Sequence, residues 1–146
     1  MATVYLPDTD HVVRHISGNL VERDPDTDDV VGCFPQAFAL RANEPYLSAS
    51  WFEHFPGSEE DRKKATVVAY CNTRSVRPRH AFAVGNVQTV KDACAEYNLK
   101  IRVCHEANEN PAYTAIRRYK SDEVELLELL ASEAWNEVFE ARPYMP

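Results

Sequence analysis

Apolar residues come in short runs along this chain, and polar or turn-forming segments separate them. The period of those runs predicts the elements. His11 to Ile16 alternates with period two and reads as a strand, with His11, Val13 and His15 on one face and Val12, Arg14 and Ile16 on the other. Asp24-Pro25-Asp26-Thr27-Asp28-Asp29 reads as a turn, because Pro and Asp favour one and its aspartates would repel one another in a strand. Val30–Phe34 and, after Pro35, Ala37–Arg41 predict further strands and an antiparallel meander. Ala42-Asn43-Glu44-Pro45 breaks the chain. In Tyr46–Phe55, Ser48 or Ser50 reads as the cap of a short helix carrying Trp51, Phe52 and Phe55, ended by Pro56-Gly57.

Ser58 followed by Glu59, Glu60 and Asp61 is a helix-start signature, predicting a helix over 59–72. Its β-branched second half, Thr66–Tyr70, also suits a strand. Ala81–Val84 then reads as a strand, Gly85-Asn86 as a tight turn with a good helix cap, and Val87, Val90, Ala93, Cys94 and Tyr97 as one helix face. Asn98 suits a left-handed helix end, and Leu99–Cys104 predicts the second strand of a β-α-β unit. Ala107–Pro111 reads as a loop, and Ala112–Tyr119 as a helical turn or a short helix. From Ser121-Asp122-Glu123 a long amphipathic helix is expected to run to about Phe139, with Val124, Leu127, Ala131, Ala134, Trp135 and Val138 on one stripe. No repeat or interior linker divides the chain. The expected fold is α+β: one domain over 1–146, with N-terminal antiparallel strands and a β-α-β unit in one mixed sheet, covered by helices that include the long C-terminal one.

Composition narrows the function classes. The chain has 146 residues, 45% hydrophobic and 27% charged, with a formal net charge of −7. Those values fit a globular domain and exclude a uniformly basic nucleic-acid coat. No apolar run is long enough for a membrane helix, and Met1–Pro7 shows neither basic nor apolar leader character, so a cytoplasmic protein of a bacterial-type intracellular system is expected. Cys33, Cys71, Cys94 and Cys104 form no Cys-x-x-Cys pair and sit among apolar neighbours, as buried reduced thiols do; no metal and no cofactor are expected. Walker A, Gly-x-Gly-x-x-Gly, Gly-x-Ser-x-Gly and His-Glu-x-x-His motifs are absent.

Five segments remain as candidates. His11-Val12-Val13-Arg14-His15 offers imidazoles for acid–base work and Arg14 for gripping an anion, although His11 and His15 would lie about 13 Å apart on a regular strand. Tyr46–Glu53 gathers aromatics, the Ser48 hydroxyl and the Glu53 carboxylate. With an upstream strand histidine it resembles the His, Tyr-x-Ser and Glu arrangement of ADP-ribosyltransferase-type folds, but Glu53 stands three residues after Ser50 rather than on a late strand. Arg74, Arg77 and Arg79 form the densest basic stretch and suit phosphate or nucleic-acid contact. His105 and Glu106, at the C-terminal end of a strand with Arg117 downstream, suit an acid–base pair near a ligand loop. The C-terminal helix suits a protein partner or a second copy of the chain.

Three readings follow. The first is an accessory or regulatory protein-interaction module that docks through the C-terminal helix. The second is a small enzyme or effector acting on a phosphorylated or nucleotide substrate. Its site would draw on His11, Arg14, His15, Ser48, Glu53, His105, Glu106 and Arg117, at least three of which should share one cleft. The third is nucleic-acid contact through the Arg74–Arg79 loop.

Overall fold

A computed structural model describes residues 2–146. Its centre is an antiparallel sheet with strand order β1-β7-β8-β5-β2-β6-β9. The strands are β1 (Val4–Tyr5), β2 (His11–Ile16), β5 (Leu47–Trp51), β6 (Ala81–Asn86), β7 (Arg102–His105), β8 (Tyr113–Arg117) and β9 (Glu137–Glu140). Strands β3 (Val21–Arg23) and β4 (Val30–Cys33) form a separate two-stranded ribbon. The Asp24–Asp29 turn joins them, with Asp28 in the left-handed region at φ 65°.

Helix α1 (Glu59–Thr73) begins on a reciprocal cap: Asp61 N–H donates to Ser58 Oγ at 3.1 Å, and Ser58 N–H donates to Asp61 Oδ2 at 3.0 Å. Helix α2 (Val87–Ala95) begins where Asn86 Oδ1 accepts from Thr89 N–H at 3.0 Å. Asn98, at φ 63°, turns the chain after it.

The two sheet faces carry different cores. One buries Val12, Ile16, Leu47, Ala49, Val103 and Ile116 against α2, Phe38 and Trp135. The other buries Val13, Phe82, Val84 and Phe139 against Val67 and Tyr70 of α1. No helix among the described residues is long and apolar enough to cross a membrane.

Several expectations are corrected. Every strand pair is antiparallel, so the sheet is not mixed in its pairing. The β6-α2-β7 unit exists, but β2, β5 and β8 lie between its strands. Ala37–Arg41 is not a strand; Pro35–Phe38 is a 3₁₀ turn, favoured by Pro35 at its start. Ser48 and Ser50 cap no helix but lie in β5, between β2 and β8, and Phe52–His54 is a 3₁₀ turn. Residues of 112–119 supply β8, not a helix.

The long C-terminal helix is absent. Helix α3 (Val124–Leu129) passes into a π-helical turn over Leu130–Ala134, which Trp135 closes by donating its N–H to the Leu130 carbonyl at 2.7 Å. Trp135 is fully buried, 5.3 Å from the Phe38 ring centre. The chain then turns to add β9 along β6, placing Phe139 on Phe82. Pairing the β6 edge prevails over continuing the helical period.

Candidate functional site

The site begins with a gap between two central strands. β2 and β5 pair at Val12–Trp51 and Val13–Ser50. One residue further along β2, Arg14 holds the β5 side of the sheet through its side chain. Its Nε donates to the Ala37 carbonyl at 2.7 Å and one Nη donates to the Ser48 carbonyl at 2.8 Å. Arg14 is only 2% exposed, and its nearest carboxylate oxygen, on Glu44, is 3.9 Å away. Burial lowers its pKa, but a guanidinium in a protein stays protonated. Arg14 is therefore a buried cation that two carbonyls hold, not the anion grip expected from the sequence.

Tyr70 of α1 packs on the other face of β2 and donates its hydroxyl to the Val13 carbonyl at 3.1 Å. Burial raises its phenol pKa, opposed by Arg74, Arg14 and Arg41. His15 lies beside it, with ring centres 5.9 Å apart, and its Nε2 shares a 2.8 Å hydrogen bond with His80 Nδ1. Burial first, then His80, Arg74, Arg41 and Arg14, lowers His15 to about 3. Three guanidiniums thus bear on the Tyr70–His15 region of a chain whose net charge is −7.

A cleft of about 180 Å³ opens beside Tyr70, lined also by Ser48, Thr73, Arg74, Asn108, Asn110 and Tyr113. Alternation along β5 and β8 brings Ser48 and Tyr113 to this face, since Leu47, Ala49 and Ile116 belong to the opposite core. Their hydroxyls are 2.8 Å apart. The loop after β7 supplies the two amides. Asn108 Oδ1 accepts from Asn110 N–H at 2.8 Å, and Asn110 Oδ1 accepts from Ala112 N–H at 3.0 Å. Both carboxamide oxygens are thereby committed to backbone, which leaves the NH₂ groups as donors. Asn110 is 2% exposed, and its NH₂ meets no acceptor among the described residues. No carboxylate lines the cleft among the described residues. Burial raises the Tyr113 phenol to about 12, so it remains a protonated donor at neutral pH.

The expected site residues divide into groups. Ser48 and Arg74 line the cleft, while Arg14 and His15 lie behind it through Ser48 and Tyr70. Glu106 and Arg117 form a two-point ion pair at 2.5 and 2.6 Å, with the Arg117 guanidinium 4.6 Å above the Tyr46 ring. His11 and Glu53 pair with each other: Glu53 accepts the His11 backbone N–H at 2.7 Å and meets its Nδ1 at 2.6 Å. This pair makes no hydrogen bond to Ser48 or Tyr46, so the His, Tyr-x-Ser and Glu arrangement is not assembled. His105 contacts the Trp51 and His54 rings, and its Nε2 lies 2.7 Å from the Pro111 carbonyl. His11, His15 and His105 therefore have three separate sets of partners. No cluster of three potential metal-ligating His, Cys, Asp or Glu side chains occurs among the described residues.

The arginine loop also divides. Arg79 makes a two-point ion pair with Asp28, and Arg77 and Arg79 line a second cavity with Ser17, Gly18, Asn19 and His80, apart from Arg74. Leu126, Leu127 and Leu130 of the C-terminal segment are buried in the chain's own core. Sequence reasoning missed Tyr70, Thr73 and Arg41 as neighbours of the site. Asn108 and Asn110 carried a signal, as turn-forming residues in a loop at the end of a strand. No protein-family model, curated protein or solved structure matches the chain.

Proposed function

We propose that this protein binds a phosphorylated small molecule in the cleft between β5, β8 and the end of α1. The observation that carries this reading is the cleft's donor set. The Arg74 guanidinium, the Asn108 and Asn110 amides and the hydroxyls of Ser48 and Tyr113 converge there, with no carboxylate facing them among the described residues. Such a set offers a cation no anionic ligand, and its guanidinium and amide N–H groups suit an oxyanion with several oxygens. A phosphoryl group, with three terminal oxygens, uses donors from more directions than a planar carboxylate does. Arg14 and Arg41 act with positive charge on Tyr70, which lines the cleft, and Glu44, 3.9 Å from Arg14, offsets part of it.

The reading is of binding rather than turnover. Ser48 is hydrogen-bonded to a phenol and not to an imidazole, so no general base activates its hydroxyl. The protein-interaction reading drew on the C-terminal segment, whose Leu126, Leu127 and Leu130 are internal, and the nucleic-acid reading drew on three arginines of which only Arg74 lines the cleft. The cleft reading is supported by residues that meet.

Calorimetric titration with inorganic phosphate and pyrophosphate at low salt tests it. Saturable binding is expected, weakening as salt rises. Arg74→Ala should weaken it about tenfold, the loss of one charge-assisted contact. Absence of saturable binding in the unaltered chain refutes the reading.

A further inference from the structure

Beside the cleft, the open part of the same sheet face carries a planar cation held in place from two sides. Arg117 Nε and one Nη donate to the two oxygens of Glu106, and the guanidinium lies over the Tyr46 ring. The ion pair holds the Glu106 carboxyl below its ordinary range, so both partners stay charged. The Arg117 side chain remains 45% exposed although Glu106 and Tyr46 both contact it. Tyr46 in turn meets Tyr113 edge-on at 6.4 Å between ring centres, and Tyr113 lines the cleft. A stacking surface thus adjoins a set of oxyanion donors, joined through one residue.

We propose that the ligand is a nucleoside monophosphate, its phosphate in the cleft and its base stacked on the outer face of Arg117. This rests on the phosphate-binding reading above. A guanidinium is planar, delocalised and weakly hydrated, and its face is a common platform for bases. Glu106 and Tyr46 have already fixed its orientation, so stacking loses little side-chain freedom. The unpaired N–H groups on its free edge can meet a base carbonyl or ring nitrogen. Glu106 is here a positioning residue: it touches Arg117 and not the ligand. A plain surface ion pair is the competing account.

Calorimetry of the full chain with ribose 5-phosphate, adenosine monophosphate and uridine monophosphate separates the two. Both nucleotides should bind about tenfold tighter than ribose 5-phosphate, the usual scale of one stacked base. Arg117→Ala should bring the nucleotides down to the ribose 5-phosphate level and leave ribose 5-phosphate unchanged, which also shows that the variant is folded. Glu106→Gln, which keeps the guanidinium but loosens it, should lose part of the nucleotide advantage. Equal affinity for all three ligands in the unaltered chain overturns the inference and leaves phosphate binding standing, as does an equal loss for all three in Arg117→Ala. Failure of both ribose 5-phosphate and inorganic phosphate to bind refutes the phosphate reading itself.

Discussion

The Arg14 guanidinium donates to the Ser48 carbonyl at 2.8 Å, so a side chain joins β2 to β5 beyond their last backbone pair, Val13–Ser50. Its Nε holds the Ala37 carbonyl in the same way. Arg14→Ala should therefore destabilise the fold by roughly 3 kcal/mol or more, since it strips two charge-assisted hydrogen bonds from an interior site. Arg14→Lys should recover little, because an ammonium does not reproduce the two directed donors of the fork. Urea unfolding midpoints of the two variants check both statements.

The His15–His80 pair makes stability depend on pH. His15 is lowered from 6.5 to about 3 in the folded chain, chiefly by burial, and His80 is lowered in the same direction. Between those values the unfolded chain binds more protons than the folded one, so stability is complete above pH 6.5 and falls as pH drops toward 3. The slope from His15 alone approaches about 1.4 kcal/mol per pH unit. Unfolding midpoints at pH 7, 6, 5 and 4 measure it. His15→Leu should flatten the slope through that window.

The arginines of one loop should behave differently from one another. Arg74 lines the cleft, whereas Arg79 pairs with Asp28 and both side chains are largely exposed. Arg79→Ala should leave phosphate titrations and the thermal midpoint essentially unchanged, while Arg74→Ala weakens phosphate binding. Equal losses in both variants would mean that the loop acts as a diffuse basic patch.

Gly85 is a packing test of the corrected C-terminal region. A Cβ there would stand 2.9 Å from the Ala134 carbonyl oxygen and 3.1 Å from the Trp135 ring. Gly85→Ala should cost roughly 1–3 kcal/mol by forcing the π-helical turn away from β6. Near-ultraviolet circular dichroism should report the displaced tryptophan alongside the shift in the unfolding midpoint.

The sequence by itself determined the parts whose signals are local. The Ser58–Asp61 cap, the Asn86 cap, the left-handed Asn98 and the Asp24–Asp29 turn are each decided by a few adjacent residues, and each stands where the pattern places it. The β2 strand was legible from its period-two alternation and β6 from its apolar run. Tertiary structure decided the rest. Ser48 and Ser50 are weak strand formers that occupy a central strand because β2 and β8 pair with both edges of β5. Residues 137–140 leave a helical period because the edge of β6 offers backbone partners. Arg14 reads as an anion grip in the sequence, yet two carbonyls from distant segments meet it in the interior. The cleft was legible only through Ser48, Arg74 and the loop after β7. Its donor character came from contacts between positions 48 and 113 and from the amide oxygens that the 108–112 turn engages, which no single segment specifies.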